Sequence, residues 1–248
     1  MLLKLIACNV FIREASLCVA RSPHTIDVDF LELGEHVHPD RLREAIQAKI
    51  RETDSGKKSY DAILLLYGLC GNAGAGLRAG KTRLVMPRAH DCCTVLLGSR
   101  ERFRELFQDN PSMAFSSVGY LERGEYYFRS DGGGEKIHYG DAYAALVEQY
   151  GQENADFIWE SMHPKEMEQM NRNVVFIDIP ETAHLGGEHR FREKAQKDGK
   201  ECIVAAGSLR LIERLVNGDW DPADFLLVEP GCETVGVYDW TEIVRAKP

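Results

Sequence analysis

The sequence predicts an α/β fold: a mainly parallel sheet with flanking helices, Rossmann-like, with an aromatic-rich excursion after residue 110. Three observations carry this expectation. Short apolar runs alternate with amphipathic stretches along the 248 residues. The runs Ala62–Leu66, Arg83–Met86, Val174–Ile177 and Phe225–Val228 are nearly continuous in apolar residues, as strands buried on both faces of a parallel sheet are. Glycine-bearing loops follow the strands and lead into the helices.

The elements follow in chain order. Leu2–Ala7 and Thr25–Leu31 read as strands, the first ending at Cys8. Pro39–Glu52 reads as a helix, with Pro39 at its first position, where the missing N–H costs nothing and φ is preset. Ala62–Leu66 and Arg83–Met86 are strands, and Thr94–Phe107 is a helix. The stretch Asn110–Ile137 then breaks the alternation. It holds Phe115, Tyr120, Tyr126, Tyr127, Phe128 and Gly132–Gly134, and reads as a hairpin-like excursion, either a binding loop or a plain surface feature. The pattern resumes with helix Asp141–Met162, strand Val174–Ile179, helix His189–Lys197, strand Glu201–Ala205, helix Leu209–Asn217 and strand Phe225–Val228. Asp141 and Ser208 suit helix N-caps. The length fits a single domain, 1–248, or two Rossmann-like halves, 1–109 and 138–248, joined by 110–137. No internal repeat or low-complexity tract is present.

Composition narrows the function. A hydrophobic content of 44% supports a core in a chain of this length. A net charge of −9 argues against nucleic-acid and membrane partners. No apolar run reaches transmembrane length, and the N-terminus reads as a strand rather than a signal peptide, so a cytoplasmic protein is expected. Cysteines stand at 8, 18, 70, 92, 93, 202 and 232. The odd count and irregular spacing do not suggest a disulfide framework, and no CxxC is present.

Ligands of open α/β sheets bind beyond the carboxyl ends of the strands. Three predicted strand ends carry a cysteine: "LIAC" gives Cys8, "YGLCGN" gives Cys70, and "PRAHDCC" gives Cys92 and Cys93. Parallel strands bring those loops to one edge. Three thiolates there suit a [4Fe–4S] cluster with one iron left without a protein ligand, or zinc with His90 or water as the fourth ligand. The bland alternative is that the cysteines are small buried hydrophobes, which is the reading for Cys18 and Cys202. Cys232, in "EPGC", is a candidate fourth thiolate.

Around the cysteines, His90 is placed to move protons or to ligate. Asp91 is placed to orient His90 or to cap the next helix, and Arg88 to hold an anion or to form a structural ion pair. Gly71, Asn72 and Gly74 form a turn that shields the centre, with a backbone anion cradle as the alternative. His36 and His38, and "HLGGEH" from His184 to His189, read as loops; the paired glycines spoil a zinc-binding helix face.

The segments "LIACNVF", "YDAILLLYGLCGN", "RLVMPRAHDCCTVLLGSRERF", "YGQENADFIWESM" and "LRLIERLVNGDWDPADFLLVEPG" together resemble domain-of-unknown-function family 1638. The resemblance implies that Cys8, Cys70, His90, Asp91 and Cys92 are the distinctive polar residues, and that Cys93 and Cys232 are additions of this chain. A Gly-Trp pair is expected where this chain has Gly119–Tyr120. The resemblance also implies a setting beside corrinoid-dependent methyl transfer, with a corrinoid protein or methyltransferase as partner. By analogy of architecture, a cluster held by three thiolates also fits desulfidases and dehydratases. The expectation is therefore a metalloprotein holding a [4Fe–4S] cluster through Cys8, Cys70 and Cys92, for elimination or desulfurisation of a small anionic substrate. The alternatives are a zinc or accessory protein in corrinoid methyl transfer and a metal-free α/β binding domain.

Overall fold

The computed structural model describes residues 1–32, 39–111, 113–128, 172–237, 239 and 241–248. Its strands are β1 (Leu2–Cys8), β2 (Thr25–Leu31), β3 (Ala62–Leu66), β4 (Leu84–Pro87), β5 (Phe115–Ser116), β6 (Asn173–Asp178), β7 (Glu201–Ala206), β8 (Phe225–Val228), β9 (Glu233–Gly236) and β10 (Val244–Lys247). Its helices are α1 (Ile12–Arg21), α2 (Pro39–Ser55), α3 (Cys92–Leu97), α4 (Arg100–Phe107), α5 (Val118–Leu121), α6 (Gly187–Lys197) and α7 (Arg210–Val216).

The central sheet has the order β2-β1-β3-β4-β8 and is mainly parallel. Its exception is β8, which lies antiparallel on β4. The continuous apolar run Phe225–Val228 reported burial correctly, but burial does not encode direction. Strands β5, β6 and β7 form a second, wholly parallel sheet, and β9 and β10 form a hairpin. One apolar core runs from Leu5 and Leu64 of the central sheet, through Phe103 and Phe107 of α4, to Phe115 and Val175 of the second sheet.

The predicted helix 94–107 is two helices. Gly98 adopts φ +78° and donates its N–H to the Thr94 and Val95 carbonyls, which ends α3. Ser99 then caps α4 by accepting the Arg102 N–H at 3.1 Å. The aromatic stretch after residue 110 opens with a strand of the second sheet. Phe128 returns to pair antiparallel with Phe115, closing a loop that contains α5. Gly132–Gly134, the predicted helix Asp141–Met162 with its cap, His36 and His38 lie outside the described residues. Among the described residues no helix is long and apolar enough to cross a membrane.

The register fixes which loops meet. Ala7 pairs with Leu66 and Leu64 with Val85, both in parallel ladders. The chain therefore leaves β1, β3 and β4 at one edge. The second sheet reaches that edge through Gly119, whose Cα packs so closely that a Cβ would strike the Val10 carbonyl just beyond β1.

Candidate metal centre

The loop after β3 runs beside the loop after β4. The Leu69 N–H donates to the Ala89 carbonyl and the Cys70 N–H to the His90 carbonyl, both at 2.9 Å. Gly68 makes this approach possible: a Cβ there would lie 2.5 Å from the Asp91 nitrogen and 2.6 Å from its Cα. Cys70, Gly71 and Asn72 then take φ of 45°, 60° and 74°, a left-handed turn. The Ala73 and Gly74 amides close it onto the Cys70 and Leu69 carbonyls. A cysteine in this region costs about 1–2 kcal/mol, and such strain concentrates at functional sites. Gly74 packs against the Gly68 carbonyl, where a Cβ would come within 2.5 Å. The Asn72 carbonyl accepts from Arg43 Nη2 at 2.9 Å. Gly71, Asn72 and Gly74 thus build the turn that presents Cys70.

Asp91 caps α3. Its Oδ1 accepts the Thr94 N–H at 3.2 Å, which sets Cys92 at the first helical position. The buried His90 ring lies 5.2 Å from the Phe103 ring, centroid to centroid. Arg88 is committed elsewhere. Its Nε donates to the Pro222 carbonyl, and its Nη1 to the carbonyls of Glu242 and Val244. It ties the C-terminal hairpin to the site loop, so those donors do not face an anion.

The three strand-end cysteines come together. The neighbouring Cys70 and Cys8 thiols first, and then burial, push the Cys92 pKa well above the usual thiol range. Cys8, Cys70 and Cys92 are each no more than 1% exposed. The Cys8 thiol also donates to Asn9 Oδ1 at 4.0 Å, and Asn9 Nδ2 donates to Glu32 Oε2 at 2.7 Å. The buried Tyr67 and Tyr120 hydroxyls sit in the field of all three sulfurs; burial first, then that field, raises their pKa values.

The remaining thiols have other surroundings. Cys93 is buried beside the trio in sequence, and burial alone raises its pKa. Burial pushes Cys18, on α1, up to about 12 and raises Cys202, on β7. Cys232 is half-buried in the turn before β9.

Among the described residues no group of three or more His, Cys, Asp and Glu side chains stands in the arrangement of a metal-holding set. The donor type alone, three sulfurs, is one that soft metals take. Three thiolates brought this close in an apolar pocket repel one another and require a cation to compensate them.

Sequence reasoning missed three residues here. Tyr67 directly precedes the Gly68 turn, Asn9 directly follows Cys8, and Tyr120 arrives from the second sheet. Asn9 adjoins Cys8 and Tyr67 lies three residues before Cys70, and Tyr120 stood out only as one of the aromatic residues after residue 110, with nothing to link it to the cysteines.

Fold and site together define a mixed α/β protein with a buried three-cysteine cluster at the carboxyl edge of its central sheet. Residues 30–216 match the family model described as protein of unknown function (DUF1638), and the chain belongs to that family. The matched span includes Cys70, His90, Asp91 and Cys92, whereas Cys8 precedes it. No curated protein and no solved structure matches the chain.

Proposed function

We propose that the protein is a cytoplasmic metalloenzyme whose centre is a [4Fe–4S] cluster held by Cys8, Cys70 and Cys92, acting in elimination or desulfurisation of a small anionic substrate. The observation that carries the reading is the trio of buried, mutually interacting thiols contributed by three separate strand ends. Three sulfur ligands leave one iron open, and such an iron supplies Lewis-acid polarisation of a bound oxygen or sulfur. The chain's own residues have distinct tasks. The left-handed turn at Cys70–Asn72 presents one sulfur, and the Asp91 cap presents another at the start of α3. Tyr67 and Tyr120 line the cysteines as buried neighbours. His90 is the proton carrier, held by its contact with Phe103. The Rossmann-like character of the two sheets, one domain over 1–248, and the aromatic segment beyond residue 110 as a substrate-facing excursion belong to the same reading.

A second reading is a zinc or accessory protein of corrinoid-dependent methyl transfer, acting with a corrinoid protein or methyltransferase. Three thiolates with His90 or water as the fourth ligand make a donor set that tetrahedral zinc takes. Elemental analysis of protein purified without air decides. About four irons with matching acid-labile sulfide per chain supports the first reading. About one zinc supports the second, and metal-free protein overturns both in favour of a metal-free α/β binding domain.

A further inference from the structure

Glu14 is a buried carboxyl at the seam where the second sheet meets the central one. It lies in the first turn of α1, is 1% exposed, and neither oxygen has a hydrogen-bond partner among the described residues. The seam itself is tight. The turn Asn9–Phe11, between β1 and α1, packs against α5, and a Cβ at Gly119 would lie 1.8 Å from the Val10 carbonyl oxygen. Beside that contact, Arg13 Nε donates to Glu122 Oε1 at 2.8 Å, and Arg13 Nη2 stands 2.6 Å from the same oxygen. Arg123 Nη1 lies 3.8 Å from the other Glu122 oxygen. An ion pair thus joins the first turn of α1 to the end of α5, and Glu14 is the next residue along α1.

The charged and titratable groups around Glu14 do not offset a second anion. Its own helix supplies Arg13, already held by Glu122, and Cys18 one turn further on. The end of α5 supplies Glu122 and Arg123, which pair with each other. Helix α7, packed on α1, and the segment after β6 bring Glu213 and Glu181, which both act on Cys18. Arg190 of α6 acts on Glu122. As a neutral acid Glu14 is tolerated in this wall; as an anion it is buried, unbonded and beside another carboxylate. Parting α1 from α5 hydrates the anion while both sheets stay whole, a local opening rather than unfolding. We propose that Glu14 is a proton-operated latch: protonated, it lets α1 and α5 close beside the cysteines, and ionised, it opens that seam and admits water and small molecules to them. Cys8 lies at the seam, two residues before Val10. The latch goes beyond the metal reading and holds whatever centre the cysteines carry.

The test is amide hydrogen exchange of the full chain, as wild type and as Glu14→Gln, at about pH 5 and pH 8, with rates corrected for the intrinsic pH dependence of exchange. The reporters are the Leu121 and Glu122 amides of the α5 turn, bonded to the Ser117 and Val118 carbonyls. The reference is the Ile63 amide of the central sheet, bonded to the Arg83 carbonyl. Opening that returns Glu14 from about 7 to its ordinary 4.5 favours the open form by roughly 70-fold more at pH 8 than at pH 5. Wild-type reporter protection is therefore expected to fall by at least about tenfold relative to Ile63, and Glu14→Gln is expected to show no such fall. Equal changes at reporters and reference, no change in wild type, or the same fall in Glu14→Gln overturns the latch. Should the variant misfold, the wild-type contrast between reporters and reference decides by itself: its presence supports the latch and its absence overturns it.

Discussion

Replacing Gly68 by alanine adds a single methyl group at the point where the two cysteine-bearing loops cross. The new Cβ would sit 2.5 Å from the Asp91 nitrogen, 2.6 Å from the Asp91 Cα and 2.8 Å from the Ala89 carbonyl oxygen. All three are backbone atoms, so no side chain can rotate away. The Leu69 to Ala89 and Cys70 to His90 hydrogen bonds, both 2.9 Å, join the same two strands of chain and must lengthen as the loops part. Overpacking of this kind costs about 1–3 kcal/mol, and weakening two buried hydrogen bonds places the total near about 3. For a chain of this size that corresponds to a melting temperature lower by about 6–12 °C. Separation of the loops also moves Cys70 away from Cys92, so metal content should fall with stability. Gly56→Ala is the control: its nearest neighbour is a carbonyl oxygen at 3.2 Å, and its expected cost is below about 1 kcal/mol. Calorimetry and metal analysis of the two variants check this. A Gly68→Ala protein melting within 2 °C of wild type, an allowance of roughly 1 kcal/mol, would refute the crossing-loop argument.

Two further outcomes are expected. Glu14 on α1 is 1% exposed and neither carboxylate oxygen has a hydrogen-bond partner among the described residues; burial first, with the Glu122 charge, raises its pKa to about 7. Its folded value lies above the ordinary 4.5, so its contribution is complete below about pH 4.5 and is lost as pH rises through 7. The loss is about 3 kcal/mol, and Glu14→Gln should abolish that slope; urea unfolding at pH 5 and pH 8 reads it, and parallel pH dependences would count against a buried carboxyl. Asp91→Ala removes the acceptor for the Thr94 N–H and should cost about 1 kcal/mol, with Asp91→Asn recovering most of it in the same unfolding assay.

How much of this was legible in the sequence depended on whether the cause was local. Thr25–Leu31, Ala62–Leu66 and Phe225–Val228 read correctly to the residue because each is an apolar or alternating run bounded by polar chain. The break between α3 and α4 was legible in retrospect as Gly98–Ser99, a stop signal followed by a cap; the longer amphipathic pattern masked it. The direction of β8 was not legible, since burial on both faces gives one apolar pattern for either orientation. The site divides the same way. Cysteines at strand ends point to a shared edge by topology alone, and Asp91 before a helix suggests a cap from its residue type. The fate of Arg88 is decided by carbonyls more than 130 residues away in sequence, and Tyr120 enters from another sheet. Such long-range partners leave no mark on nearby residues.

The central claim is that Cys8, Cys70 and Cys92 serve one common centre and the neighbouring Cys93 does not. Metal content of four single alanine variants, prepared in full-length protein without air, tests it most directly. The account predicts that Cys8→Ala, Cys70→Ala and Cys92→Ala each lose most of the bound metal while Cys93→Ala retains the wild-type amount. Retention by any of the first three, or equal loss in all four, would contradict it.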